Sequence, residues 1–497
     1  MRTAFRLAAA LLFVTAVAVP AQLVFEPPVV TSMPGAIFNT NRVLGDIDED
    51  GDLDVMTVVG DFGSSEVRYF LNDGTGALVE APFFNTTPSP RGVALIDLDG
   101  DEHLDLVVLA GSSVVVHPGN GDGTFGLLTG FAVTSAASHF AIGLVNDDEL
   151  LDFVVATYEV PIFFPPRLEV YLGAGGMTWV AERSEILASE VADMELVDVT
   201  GDSELDVVLI RAGVAEVRPG DGLGSFGAAQ PIAGTIFTSR MTSGDLDDDD
   251  DVDLVLGSLS PEVQTVLNDG VGNFSAAQTF PVGFLGANPG LGDMDDDGVL
   301  DIVLNDSGAD FMGELVVLRG QGGGAFAQNV AVTASVFAGG GSIAVGDMDD
   351  DGLLDAVTGS GGVSVFRNHT YLPGSPFLDH GHALPGTNGY PVQLASGSLL
   401  AGEPFAFQLV NGLPRGLATI VLGASQADLP FKGGTMVPFP DLLLFGNPMG
   451  PDGAAGVAGN WTPGIPSGIT LWLQWWFADE GGVAGKAASS GLSLTTP

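Results

Sequence analysis

An acidic phrase that returns about every fifty residues constrains this chain more than anything else in it. Residues 45–56 read GDIDEDGDLDVM, residues 292–304 read GDMDDDGVLDIVL, and residues 346–357 read GDMDDDGLLDAV. Aligned on this phrase, seven loops begin at Asp46, Asp97, Leu144, Asp198, Asp245, Asp293 and Asp347, at intervals of 51, 47, 54, 47, 48 and 54 residues. Each loop runs into a short aliphatic segment: DVMTVV, DLVVLA, DFVVAT, DVVLI, DLVLG, DIVLN, DAVTG. A second apolar run follows (VVVHPG, LEVYLG, AEVRPG, LVVLRG), and then, in most copies, a glycine turn with an aromatic residue (NGDGTFG, GDGLGSFG, NDGVGNFS, GQGGGAFA). Short β-branched runs between turns read as strands, and no helical period is sustained anywhere.

A unit of about 50 residues holding about four short strands predicts one blade of a β-propeller, and seven units predict an all-β, seven-bladed ring. The ends support closure. The last unit stops after GGVSVFRN without its glycine turn and fourth strand, while LVFEPPVVTSMPGAIF ahead of the first loop supplies a spare strand. Pairing the two would remove two exposed sheet edges at once.

The charge needs its own account. Two carboxylates about 4 Å apart repel by about 4 kcal/mol even at an effective dielectric of about 20. Several such pairs in one loop call for protons or a cation to neutralise them. The chain carries 63 Asp and Glu against 15 Lys and Arg, a formal −48, yet 46% of its residues are hydrophobic. That apolar content argues against disorder, and the charge argues against nucleic acid or an anionic membrane surface as partner. The acidity is also uneven. Residues 22–370 hold 56 acidic and 10 basic side chains, residues 371–497 only seven and three. The step places a domain boundary near residue 370.

Residues 1–21 read as a signal peptide. Arg2 and Arg6 precede the apolar LAAALLFVTAVAV, and VPA ends just before Gln22. About thirteen apolar residues fall short of the ~20 that span a bilayer. The expectation is a monomeric protein, secreted or held at the cell surface, with no membrane insertion after cleavage. Cysteine is absent, which excludes disulfides, thiol catalysis and cysteine-based zinc sites.

The pattern D-x-D-x-D-G-x-x-D, followed by an aliphatic strand and NDG-x-G-x-F, resembles the FG-GAP or VCBS repeats of integrin α-subunit head propellers and many secreted bacterial proteins. The resemblance covers about residues 22–370. It implies several calcium ions, held by side chains at loop positions 1, 3, 5 and 9 and a carbonyl at position 7, with glycine at position 6 for the sharp turn. Three loops are complete: Asp46, Asp48, Asp50 and Asp54 with Gly51; Asp293, Asp295, Asp297 and Asp301 with Gly298; Asp347, Asp349, Asp351 and Asp355 with Gly352. The fifth offers Asp245, Asp247, Asp249 and Asp253 with Asp250 at the turn, and the second Asp97, Asp99, Asp101 and Asp105 with Glu102. The fourth keeps Asp198, Asp202 and Asp206 around Thr200, with Ser203 at the turn. The third, with Leu144, Asn146 and Glu149 beside Asp148 and Asp152, is expected to bind nothing. An EF-hand would need a glutamate at position 12 and helical flanks, and magnesium a rigid octahedron with retained waters. Zinc finds no histidine in a ligand position.

Two matches to G-x-G-x-x-G, GDGTFG at 121–126 and GLGSFG at 222–227, lack the following helix of a dinucleotide site and are expected to be turn glycines. No serine lies in G-x-S-x-G, and neither Lys432 nor Lys486 fits a P-loop. His380 and His382 beside Asp379 are expected to lie in a solvated linker. Residues 371–497 hold four of the five tryptophans and apolar runs (PFAFQLV, ATIVLGAS, DLLLFG, ITLWLQWWFAD) that predict a small β-sandwich. In its longest strand Ile469, Leu471, Leu473, Trp475 and Phe477 share a core face. Thr470, Trp472, Gln474 and Trp476 share the other, which would either pack, for instance on the propeller, or offer an aromatic platform to a glycan. With no catalytic constellation legible, the functional expectation is a calcium-binding scaffold for adhesion or binding of an extracellular protein or glycan. The alternative is a polysaccharide lyase or hydrolase built on the same propeller.

Overall fold

The computed structural model describes the chain from Leu23 to Thr496, apart from residues 24, 26–27, 34–37, 61–64, 83–89, 159–163, 259, 283–287, 307–311, 338–341, 360–361, 370–376, 380–383, 385–390, 398, 401–402, 411, 433, 441, 451–453, 461–469, 480, 482–484 and 490. The signal-peptide segment, His380 and His382, and Ile469 lie outside the described residues.

Each repeat folds as one four-stranded antiparallel sheet, a blade, and seven such sheets are formed among the described residues. Blade 1 comprises Phe38–Gly45, Asp54–Gly60, Ser65–Asn72 and Leu78–Glu80; blade 2 comprises Pro90–Ile96, Asp105–Ala110, Ser113–His117 and Thr129–Ala132. Blade 3 begins at Ala137, blade 4 at Val191, blade 5 at Thr238 and blade 6 at Pro289. Blade 7 is built from Ala344–Gly346, Asp355–Thr358 and Gly362–Phe366, and its fourth strand is Val29–Ser32 from the start of the chain. The spare strand thus caps the last blade, with Val29 opposite Val365 and Ser32 opposite Gly362. First strands of successive blades neighbour one another, and that of blade 7 neighbours that of blade 1, so the ring closes.

The core explains why the second strand of each unit reads as a continuous aliphatic run. Burial is complete along Asp105–Ala110, Asp152–Thr157 and Asp253–Ser258. One apolar cluster fills each of the seven seams: Met56, Val58 and Tyr69 of blade 1 meet Val93, Leu106 and Val108 of blade 2, and Val55 and Phe70 meet Val357 and Val365 across the closing seam. A strand packed on both faces by neighbouring sheets has no solvent side to make polar. At the closing seam the buried Arg42 of blade 1 donates to the carbonyls of Ser342, Val357 and Gly359. Burial lowers its pKa to about 10, so the guanidinium stays charged.

From Phe377 onward the strands form other sheets. A six-stranded sheet includes Leu417–Gly423, Thr470–Ala478 and Leu492–Thr495, and a three-stranded sheet consists of Val392–Gly397, Pro404–Val410 and Ala455–Asn460. Their facing sides share one cluster: Leu473, Trp475 and Phe477 from the first, Phe407, Leu409 and Ala455 from the second. This is the sandwich core expected from the alternation. On the opposite face Gln474 and Trp476 are covered by a hairpin of the same segment rather than left open as a platform. Trp476 is buried with Leu384, Val421 and Met436 under the hairpin Gln426–Phe431/Gly434–Pro438, and Phe431 meets its ring edge-on at 5.1 Å. Gln474 accepts from the Val437 amide and donates to the Thr435 and Ser489 carbonyls. A polar residue amid these apolar ones is satisfied by the hairpin backbone, so the hairpin has to lie there.

Candidate metal centres

All seven acidic loops connect the first strand of a blade to its second, and so stand on one rim of the ring. Each loop turns through a left-handed residue at position 6. Glycine takes it in the complete loops (φ 100° at Gly51, 87° at Gly298, 88° at Gly352), whereas Glu102, Glu149, Ser203 and Asp250 adopt 73°, 61°, 73° and 70°. The turn geometry therefore survives where glycine does not, at the strain cost of an L-residue in this region.

The carboxylate at position 1 holds that turn. Asp46, Asp97, Asp198, Asp245, Asp293 and Asp347 each accept the position-6 amide at 2.8–3.1 Å. Position 5 accepts the position-7 amide, as in Asp50 with Asp52 and Asp148 with Leu150. Leu144 cannot make the first of these bonds, and the third loop lacks it.

Position 9 does something that spacing alone did not disclose. Asp54, Asp105, Asp152, Asp206, Asp253, Asp301 and Asp355 are all 0–1% exposed. In each, one oxygen accepts the position-2 amide of its own loop (Ile47, Leu98, Val145, Val199, Leu246, Met294, Met348). The other accepts an amide where the third strand ends (Asn72, Gly119, Gly173, Gly220, Asn268, Gly320, Asn368). These aspartates pin the loop to the neighbouring turn that follows the third strand on the same rim, and Asp152 does so in the loop expected to bind nothing. Part of the signal was in the sequence: positions 5 and 9 are the two acidic positions kept in all seven copies, and position 9 is the one that runs straight into the buried strand.

Among the described residues, five loops bring three acidic oxygens within 4.8 Å of one another: Asp46, Asp48 and Asp50; Asp97, Asp99 and Asp101; Asp245, Asp247 and Asp253; Asp293, Asp295 and Asp297; Asp347, Asp349 and Asp351. In the fifth loop Asp253 takes the part that spacing gave to Asp249. The fourth loop makes the same backbone bonds but has Thr200 in place of the position-3 aspartate, and it gathers no such trio.

The electrostatics are those of sites short of positive charge. Burial, then the neighbouring Asp50 and Asp46, raises the pKa of Asp48; burial, then Asp249, does the same at Asp247. Burial outweighs two backbone donors at position 9, pushing Asp54 and Asp253 to about 6, Asp301 to about 7 and Asp355 to about 8. Asp46 Oδ1, Asp48 Oδ1 and Asp247 Oδ1 are buried with no hydrogen-bond partner. An unsatisfied buried anion is costly unless a cation meets it. Converging hard oxygens, some of them orphaned, fit an oxygen-loving divalent ion in the first and fifth loops.

In the sixth and seventh loops the protein brings a cation of its own. The Arg319 guanidinium pairs with Asp295 and lies 3.7 Å from Asp297, and Arg367 lies 3.8 Å from Asp349. Both stand at the end of the third strand, just before the turn, where blades 1, 3 and 5 place Leu71, Leu172 and Leu267. The two G-x-G-x-x-G segments lie in turns between third and fourth strands, with Gly121, Gly123, Gly222 and Gly224 at φ 64–79°.

Residues 46–108 and 293–358 match the family of FG-GAP-like repeats, so the chain carries such repeats in at least those two regions. No curated protein matches it. Similar solved structures include a lectin of Agrocybe aegerita, described as recognising non-reducing terminal N-acetylglucosamine, with 18% identity over 60% of this chain and 81% of that one at TM-score 0.44. The BP39L lectin of Burkholderia pseudomallei shows 13% identity over 68% and 97% at TM-score 0.49, and BBS1N, solved in complex with ARL6DN, 13% over 71% and 98% at TM-score 0.48.

Proposed function

We propose that this chain is an exported, calcium-loaded propeller that serves as a binding scaffold for an extracellular protein or glycan. The observation that carries the reading is the set of orphaned, buried carboxylate oxygens of Asp46, Asp48 and Asp247, each in a loop already fixed in shape by its own backbone hydrogen bonds. Calcium suits such a site because it accepts six to eight oxygen ligands in adaptable geometry. Asp46, Asp48 and Asp50 would hold one ion, and Asp97, Asp99 and Asp101, Asp245, Asp247 and Asp253, Asp293, Asp295 and Asp297, and Asp347, Asp349 and Asp351 the others. Bound ions would neutralise the rim and stiffen it, leaving a preorganised surface for a partner. Export is supported by the sequence of residues 1–21. The test is a glycan array and extracellular-protein capture with purified protein, in calcium and in EDTA, alongside polysaccharide turnover assays. Calcium-dependent binding without turnover is expected; robust cleavage would make the chain an enzyme and overturn the reading.

A further inference from the structure

The seams of the ring are closed by one recurring contact. The carbonyl at loop position 2 accepts a hydrogen bond from the turn of the next blade. Gly123, Gly224 and Gly324 amides donate to Ile47, Val145 and Leu246 at 3.2, 2.8 and 3.1 Å. The Asn72, Asn268 and Asn368 side chains donate to Met348, Val199 and Met294 at 2.8, 2.9 and 2.6 Å. Six seams are locked in this way. At the seventh, between blades 2 and 3, no such bond reaches the Leu98 carbonyl among the described residues.

The reason lies in one residue. Met177, φ 53°, stands where the other turns place Gly76, Gly123, Gly224, Gly272 and Gly324, all at φ 70–80°. A Cβ added at those glycines would meet the preceding blade: Leu267 Cδ1 at 2.7 Å from Gly324, Leu172 Cδ2 at 3.1 Å from Gly224, Asp48 Cβ at 3.3 Å from Gly123. A methionine, its side chain buried in the apolar cluster of this seam, therefore keeps the turn off Leu98 at the rim. Two further features agree. Leu98 is only half-buried, whereas its counterparts from Ile47 to Met348 are at most 4% exposed. Asp99 is the one position-3 side chain that is exposed. A cavity of about 230 Å³ lies at this seam, with Leu98 and Asp99 on one wall and Glu149, Met177, Thr178 and Trp179 on the other. Trp179 is pinned rather than free: its Nε1 donates to the Leu151 carbonyl at 3.0 Å, and its ring stands edge-on to Phe153 at 5.1 Å.

We propose that this wedged-open seam is a binding site for a single ring of a neutral saccharide. An apolar, aromatic surface (Trp179, Met177, Leu98) beside carboxylate and hydroxyl groups (Asp99, Glu149, Thr178) matches a ligand with one apolar face and a rim of hydroxyl donors. No basic side chain lines the cavity, so an anionic sugar would be repelled. The volume is below the ~300–1,000 Å³ of drug-sized pockets, which fits one ring. Choosing a neutral ligand over an amine rests on the calcium reading above, because an ion held by Asp97, Asp99 and Asp101 would cancel the charge that favours an amine.

The test uses the full chain in calcium, followed by tryptophan fluorescence and ligand-observed NMR. Methyl glucoside, methyl galactoside, methyl mannoside and their neutral oligosaccharides are the probes, with spermidine as the amine control. Wild type should bind at least one saccharide saturably, and Trp179→Ala should weaken it by about tenfold or more. Because Trp179 and Met177 both pack in the apolar cluster of this seam, Met177→Gly is the second arm and each variant's melting curve is recorded beside its binding. It should let the turn close on Leu98 and weaken the same saccharide as strongly, in a protein that still unfolds cooperatively though with a lower melting temperature for the lost methionine packing. Equal binding by Met177→Gly and wild type, preference for spermidine, or no saccharide binding at all would overturn the site. Array or protein-partner binding that survives Met177→Gly would leave the scaffold reading standing while removing this pocket from it.

Discussion

Asp152 sits in the loop with the fewest carboxylates at the ligand positions, yet it is as buried as its counterparts and accepts the same two backbone amides, from Val145 and Gly173. Position 9 therefore has a folding role separable from any metal. Asp152→Ala should cost about 2–4 kcal/mol by leaving two buried amides unpaired, with calcium stoichiometry unchanged. Asp293→Ala should instead lower the stoichiometry measured by calorimetry by about one. A silent Asp152→Ala in denaturant titration would mean that water replaces the carboxylate. Arg319 carries a second residue-scale expectation. Its charge beside Asp295 and Asp297 competes with a bound ion, so Arg319→Leu, the residue of blades 1, 3 and 5 at that place, should tighten calcium at the sixth loop by about tenfold; unchanged affinity by calorimetry would contradict it. The loop ligands were readable because their spacing is local. Arg319 was not, because it arrives across a hairpin and its partners are set by the fold.

At the scale of elements, the aliphatic second strands were legible as strands, but their burial on both faces follows only from blades packing against each other. The fourth strand of blade 7 was legible too, because a repeat missing its last strand and a spare strand at the other end of the chain imply one another. Val29–Ser32 pairs along the whole of Gly362–Val365. Deleting residues 22–32 should expose that edge, and light scattering and limited proteolysis should report aggregation and cleavage well beyond the effect of trimming a loose terminus. A deleted protein that stays monomeric and melts like the parent would show that the strand is dispensable. The second face of Thr470–Ala478 marks the limit of pattern reading. Alternation assigned Trp476 to the face away from the core, but not the hairpin that covers it, since that hairpin is brought there by the chain's path rather than by its period.

For the molecule as a whole, seven apolar seams and one buried arginine close a ring whose rim carries most of the chain's negative charge. The seams favour closure, and repulsion among the acidic loops opposes it. Hydrophobic burial supplies the first without any ion; the second grows wherever the clusters of the rim are left without counter-charge. The central claim is that these clusters hold cations that stabilise the fold, and thermal unfolding in millimolar calcium against EDTA tests it most directly. Ligand binding only to the folded state adds about 2.7 kcal/mol per site at a hundredfold excess. Five clusters should therefore raise the melting temperature by about 10 °C or more. Identical melting curves in calcium and EDTA would contradict the claim.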